Sequence, residues 1–428
     1  MSDLFGYGTA VFPRPSNYNI MLIILDGLAD VPIESLGNKT PLEYANKPHL
    51  DELAKRGQNG MVWPFVPWTP LGSGPAHLAL LGYNPLENYI GRGPLEALGE
   101  GVQTDEGDVI IRLNFATVDP GTRIVLDRRA GRIETDDAAM LFKYLNDSLV
   151  HQWDGISWQL HPTKGYRGVI TLKNASSWID GSDPRANPHG VEEVRTIQAT
   201  RNDPLARKTA SFMNWFTDET QRLLIEHPYN KNRVANGLAP ANHILSRGAG
   251  TIKYPVPFAK KYQFSSPAFV SGFPLYVGLA RFLRIETVIP EDETIPTKFA
   301  KAAEIYKKHD ITILHVKDPD VAGEDGDVEG KVRIIEEIDK NLKKILDVMD
   351  GDDTIVITAD HATPAKIKDH SGHPVPVLAC GPFTGHDGDL VSGFNERACA
   401  KGSLGNFRSV YLMNLILMLT LRLKTFGA

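Results

Sequence analysis

Apolar residues along this chain follow two rhythms. Three short runs are apolar on both faces and stop at an acidic or charged cluster: Met21-Leu-Ile-Ile-Leu-Asp26, Ile311-Thr-Ile-Leu-His-Val316 before Asp318 and Asp320, and Thr354-Ile-Val-Ile-Thr-Ala-Asp360. Runs of this kind predict parallel strands buried beneath helices on both sides. The second rhythm is helical. Val332, Ile335, Ile338, Leu342, Ile345 and Val348 recur at three- and four-residue spacing and predict a helix over 332–349. After the first strand, Thr40-Pro-Leu-Glu43 is a capping box with Pro at the first helical position, followed by Leu50, Leu53 and Ala54 at helical spacing up to Gly57. Ala268-Phe-Val-Ser and Thr287-Val-Ile add strand candidates. Tyr411 to Leu421 is strongly apolar, yet too short to span a bilayer and interrupted by Asn414, so it predicts a buried C-terminal helix.

Between these βα units the pattern changes. Val109 to Phe115, Ile124 to Leu126 and Gly168 to Leu172 are short strand candidates broken by turn residues, with amphipathic helices near 136–146 and 211–226. The expected architecture is a discontinuous α/β core over 18–105 and 256–428, with an α+β domain inserted at 106–255.

Composition narrows the partners. The 428 residues are 42% hydrophobic and 23% charged, enough for two globular domains, with no internal repeat or low-complexity tract. A net charge of -6 leaves no basic field for nucleic acid, so an anionic ligand must be held by local cations. Two cysteines, Cys380 and Cys399, lack disulfide-scaffold or CxxC spacing, and no basic and apolar leader precedes the first strand. The expectation is a cytoplasmic protein with no membrane or nucleic-acid partner; the sequence sets no oligomeric state.

The strand ends carry the chemistry. In open α/β sheets, ligands gather at the carboxyl edge, and here that edge would bring together Asp26, Asp320 with Glu324, Asp360-His361 and the loop Asp369-His370-Ser-Gly-His373. Oxygen and imidazole donors in this mixture suit Mn, Mg, Zn or Co. Asp360 and His361 adjoin a fully apolar strand, where ionisable groups are costly to bury unless they bind something. Ser73, in Gly72-Ser-Gly-Pro75 ahead of Ala76-His-Leu-Ala-Leu-Leu81, sits where a helix should begin, either as a plain N-cap or as a nucleophile.

These blocks, with Tyr83-Asn-Pro85, Tyr89-Ile-Gly-Arg-Gly-Pro-Leu-Glu-Ala-Leu-Gly99, Asn114-Phe-Ala-Thr117, Asp127-Arg-Arg-Ala-Gly-Arg132, Leu245-Ser-Arg-Gly-Ala-Gly250 and the terminal Phe426-Gly-Ala428, resemble the archaeal-type cofactor-independent phosphoglycerate mutases of the alkaline-phosphatase-like metalloenzymes. The resemblance implies an alkaline-phosphatase-like sheet core and interconversion of 3-phosphoglycerate and 2-phosphoglycerate in glycolysis and gluconeogenesis, through a phosphoserine on Ser73 and without 2,3-bisphosphoglycerate. It implies two divalent metal ions, one held by Asp26, Ser73, Asp360 and His361 and the other by Asp320, Glu324 and His370. It places the small phosphorylated substrate on Arg128, Arg129, Arg167, Arg247 and Lys261, with Arg132, Asp183 and His189 as weaker candidates. Two departures stand out. Many family members carry Ser-Asp-Thr where this chain has Ser73-Gly74-Pro75, and His where it has Glu324. A hard carboxylate in place of imidazole favours Mn or Mg over Zn or Co. The rival reading is a related phosphomonoesterase or phosphonate-processing enzyme, and beyond it a non-catalytic metal- or phosphate-binding relative.

Overall fold

The computed structural model describes residues 13–184, 192–384, 389 and 391–425. Among them the chain divides into two compact units, Met1–Tyr89 with Pro255–Ala428, and Ile90–Tyr254.

The first unit is built on an eight-stranded sheet in the order Glu286–Val288, Pro267–Val270, Ile311–Val316, Ile20–Leu25, Thr354–Thr358, Val375–Cys380, Gln58–Trp63, Gly405–Arg408. The first five strands run parallel, and Val375–Cys380 is antiparallel to both its neighbours. Every residue of Ile20–Leu25, Ile311–Val316 and Thr354–Thr358 is buried, as apolar runs without alternation require. Their registers align Leu25 with Val316 and Ile24 with Thr358, so the residues that follow, Asp26, Lys317 and Asp360, emerge side by side. The helix Val328–Leu346 covers this part of the unit with Val332, Ile335, Ile338, Leu342 and Ile345 buried. The capping box at Thr40 forms, its side chain accepting from the Glu43 amide. The helix it starts ends at Tyr44, however, and a second runs from Pro48 to Arg56. Pro48 disfavours helical backbone at Lys47 before it, so the expected single helix is two. At the C-terminal end, Leu412–Leu419 is a helix with five buried apolar residues, and no described helix is long and apolar enough to cross a membrane.

The second unit is a six-stranded antiparallel sheet, ordered Val125–Asp127, Val109–Val118, Arg167–Lys173, Ile156–Pro162, Gln152–Trp153, with His243–Thr251 also paired to Val109–Val118. Helices Thr135–Ser148 and Pro204–Glu226 bury Phe142, Phe212 and Phe216 in a core with Phe115 and Trp158. The unit begins at Ile90 and not at 106. The reason is the helix Arg92–Gly99, which packs on Val109–Val118 and His243–Thr251. Sequence periodicity alone gives an eight-residue helix no domain.

Candidate metal centre

Asp26 follows its strand and turns at Gly27, whose φ of +61° is a left-handed conformation. A Cβ there would lie 2.6 Å from Thr363 Oγ1 and 2.7 Å from Asp320 Cβ, so glycine is required both by backbone and by space. The Gly27 amide donates to Asp360 Oδ1 at 3.2 Å, joining the ends of two neighbouring strands. A buried ammonium fixes the same corner. Lys331 Nζ donates to the carbonyls of Gly27 (3.0 Å) and Thr363 (2.9 Å) and to Asp30 Oδ2 (2.9 Å), with both side chains fully buried. Removing one partner of such a pair strands the other charge in the interior. Lys331→Met is therefore expected to destabilise the protein by about 3–5 kcal/mol, read as a lower urea midpoint with the unfolding slope unchanged. A midpoint equal to wild type would sink this account.

Ser73 opens the helix Ser73–Leu80, but it is not the cap: Gly72 is, and no side chain caps this end. The hydroxyl is left for something else. Its Oγ lies 3.1 Å from His361 Nε2, and that nitrogen is 3.2 Å from Asp26 Oδ1 and 3.3 Å from Asp360 Oδ2. Both carboxylate oxygens are buried with no hydrogen-bond partner among the described residues. A divalent ion bound at about 2.0–2.2 Å keeps its ligand atoms roughly 3.0–3.5 Å apart, so Asp26, Ser73, Asp360 and His361 already have the spacing of a coordination shell. Beside it is a second group. Asp320 lies in the helix Asp318–Asp325, its Oδ1 3.5 Å from His370 Nε2, and the His361 and His370 rings stack with centroids 3.7 Å apart. Asp320, His361 and His370 can offer ligand atoms within 4.8 Å of one another. His361 thus borders both groups.

Glu324 stands further out. Its side chain is 55% exposed, with Oε1 3.8 Å from His370 Nε2, a turn beyond Asp320 on the same helix. His373 hydrogen-bonds Ser371, also outside the cluster.

The electrostatics match a cation site. Burial alone would raise the Asp26 carboxyl, but Lys317, then His315 and His361, hold it well below its usual range. Burial and the neighbouring Asp26 push Asp320 up. Burial lowers the His361 imidazole against the pull of Asp360 and Asp26, keeping it the neutral ring a metal needs. His370 is opposed by burial yet raised to about 9 by the Glu324 carboxylate, the Leu71 carbonyl and Asp320. Three buried carboxylates face one ammonium, Lys317 Nζ, which bridges Asp26 and Asp320. Such an excess of negative charge suits a divalent ion.

The remaining sequence candidates separate. In the second unit, Arg128 grips Asp183 through Nε and Nη2 at 2.6–3.0 Å, and Arg247 Nε is 3.7 Å from the same carboxylate. Arg167 is partly buried and sits beside the Tyr166 ring, whereas Arg129 and Arg132 are exposed. His189 and the terminal 426–428 motif lie outside the described residues. Lys261, in the first unit, donates to the Gly82 carbonyl and lies 4.0 Å over the Tyr83 ring, and burial lowers it to about 8. These partners follow the C-terminal end of the Ser73 helix and are not residues of the cluster.

Several neighbours escaped the sequence reading. Lys317, Tyr276 and His315 all contact Asp26, His77 lies 3.2 Å from Asp360 Oδ2, and Thr363 bridges Asp320 and His361. In the second unit, Arg112 is 3% exposed, with Nε 2.9 Å from Glu96 and Nη1 unpartnered, while Arg92 holds the other Glu96 oxygen. His315 and Arg112 did leave a signal: each is the single ionisable residue of its strand.

Residues 54–230 match the family model described as 2,3-bisphosphoglycerate-independent phosphoglycerate mutase. A protein of that description from Ignicoccus hospitalis is 41% identical over 96% of this chain and 99% of its own length, and one from Methanopyrus kandleri is 38% identical over 96% and 98%. Among solved structures, a Pyrococcus horikoshii protein superposes with a TM-score of 0.82 at 32% identity, covering 97% of this chain and all of its own. A cofactor-independent phosphoglycerate mutase from Thermoplasma acidophilum gives a TM-score of 0.65 at 31% identity over 94% of this chain and all of its own. With near-complete coverage of both chains at this identity, the chain belongs to the 2,3-bisphosphoglycerate-independent phosphoglycerate mutases.

Proposed function

We propose that the protein interconverts 3-phosphoglycerate and 2-phosphoglycerate through a phosphoserine on Ser73. The observation that carries this is the Ser73 hydroxyl: buried at a helix start, uncommitted to capping, and 3.1 Å from His361 Nε2, which itself lies within 3.3 Å of an Asp26 and an Asp360 carboxylate oxygen. Asp26, Ser73, Asp360 and His361 would hold one divalent ion and Asp320 and His370 the other, with Glu324 one helical turn away. Bound there, a divalent ion lowers the pKa of a coordinated hydroxyl and neutralises charge on the phosphoryl oxygens. The chain's own groups do the rest. Ser73 Oγ attacks phosphorus as the bond to the substrate oxygen breaks, at a helix N-terminus whose free amides favour an added phosphate. The retained glycerate then accepts the phosphoryl group on its other hydroxyl, and the serine is regenerated. Arg128, Arg167, Arg247 and Arg112 are the candidate cations for the substrate's carboxylate and phosphate, because a guanidinium offers a fork to both, and Arg128 would have to exchange its Asp183 partner for substrate. Arg129 and Lys261 are weaker candidates, the first being exposed and the second engaged elsewhere. Glu324 favours Mn or Mg over Zn or Co, and glycolysis with gluconeogenesis in the cytoplasm is the setting such a reaction fits.

A phosphomonoesterase would use the same serine but pass the phosphoryl group to water. The deciding assay offers 3-phosphoglycerate and follows both products. Formation of 2-phosphoglycerate with free phosphate below about a hundredth of the isomer is expected; phosphate release matching substrate loss would replace the mutase reading with the hydrolase.

A further inference from the structure

Asp26 is held in a lopsided way. Three donors converge on one of its oxygens, Oδ2: the Tyr276 hydroxyl, His315 Nε2 at 3.1 Å and Lys317 Nζ at 3.1 Å. The other oxygen, Oδ1, is buried with no hydrogen-bond partner and faces His361 Nε2 at 3.2 Å. An ionised carboxylate oxygen has about two lone-pair directions, so three donors leave Oδ2 none for a metal. The asymmetry is built by the fold. His315 is on the strand beside Asp26's own, paired with Ile24, and Tyr276 is in the helix Pro274–Phe282, buried to 2% exposure. The two rings pack against each other with centroids 3.6 Å apart. His315 Nδ1 has no hydrogen-bond partner, so the imidazole has one polar task, donating from Nε2 to Asp26. Neither residue belongs to the ligand set; His315 touches it through Asp26, and Tyr276 through Asp26 and the Ser73 side chain.

We propose that His315 and Tyr276 are positioning residues for Asp26, saturating Oδ2 so that the carboxylate meets a metal ion through Oδ1 alone. The proposal rests on the reading of Asp26 as a metal ligand. Groups that orient a ligand in this way typically govern metal affinity by about 10–100-fold, and monodentate Asp26 leaves room in the shell for the Ser73 hydroxyl and a phosphoryl oxygen.

The geometry makes an asymmetric demand on substitutions. A glutamine amide nitrogen reaches about as far as a histidine Nε2, whereas an asparagine nitrogen reaches only to the Nδ1 position. Mn(II) binding to the purified full chain, followed by electron paramagnetic resonance without substrate, should be near wild type in His315→Gln, within about threefold. It should weaken about 10–100-fold in His315→Asn and Tyr276→Phe, with circular dichroism and melting confirming the fold. Equal loss in Gln and Asn, or wild-type binding in Tyr276→Phe, would overturn the proposal; should His315→Asn fail to fold, Tyr276→Phe decides alone. Asp26→Asn separates this from the underlying reading. If it binds Mn(II) as wild type does, Asp26 is no ligand and both ideas fall. If it loses Mn(II) while His315→Asn and Tyr276→Phe do not, the ligand assignment stands and only the positioning role is lost.

Discussion

Ser73→Ala should abolish turnover and leave the protein folded. Its hydroxyl makes no cap bond, so the helix Ser73–Leu80 does not depend on it; alanine is, if anything, the better helix former. What disappears is the oxygen proposed to form the bond to phosphorus. The neighbouring amides, the arginines and the other proposed metal ligands all remain, so substrate binding should survive and the chemical step should not. A covalent route without its nucleophile predicts a fall of far more than 100-fold in kcat. If the alanine variant keeps more than about a hundredth of the wild-type rate, equivalent to less than ~2.7 kcal/mol in the barrier, the phosphoserine mechanism is wrong. A second measurement sharpens the result: wild-type enzyme quenched in acid during turnover with labelled substrate should carry one acid-stable phosphate per chain, and the variant none.

How much of this centre the sequence discloses depends on where each residue sits. Asp26 and Asp360-His361 are legible because each ends a run of buried apolar residues, and a charge at that point is conspicuous. The helical turn that sets Asp320 and Glu324 on one face is legible from their spacing, but the tilt that leaves Glu324 more than half exposed is not. Ser73 could be assigned to a helix start, and only three dimensions show that Gly72 does the capping and frees the hydroxyl. Tyr276 is invisible in the sequence. It lies on the buried side of an amphipathic helix, where an aromatic residue reads as core, and its hydroxyl acquires meaning from a carboxylate 250 residues away. Lys331 is hidden for the same reason, a cation amid helical periodicity whose acceptors, on Gly27, Ala29, Asp30 and Thr363, come from distant loops. In the second unit, the arginines with the turn-like run from Asp127 were legible as a group. The Glu96 carboxylate that joins Arg92 to Arg112 was not, since it lies within the range 18–105 that the sequence pattern assigns to the core domain.

Removing divalent ions should be as damaging as removing the serine, and for a related reason. Asp26, Asp320 and Asp360 are all fully buried, and Lys317 forms ion pairs with the first two of them. Burying carboxylates at this density is costly unless cations compensate. On the proposed mechanism, metal-free protein lacks both the activation of the Ser73 hydroxyl and the charge that offsets the phosphoryl oxygens. Dialysis against a chelator is therefore expected to reduce turnover below about a thousandth of the starting rate, with recovery best in Mn or Mg. The melting temperature should fall as well, because an ion that binds only the folded state stabilises it by mass action. Full activity in metal-free protein would end the assignment. The identity of the ion turns on position 324. The carboxylate there lies 3.8 Å from His370 and one helical turn from Asp320, close enough for a modest side-chain rotation to bring it to an ion held by those two. As an oxygen donor it favours hard ions; an imidazole in its place would favour borderline ones. Glu324→His should consequently shift the order of reactivating metals toward Co and Zn, while Glu324→Gln, neutral but still an oxygen donor, should weaken every ion without reordering them. Reactivation of wild type by Zn alone would refute the preference, and an order unchanged in Glu324→His would show that this carboxylate does not reach the metal.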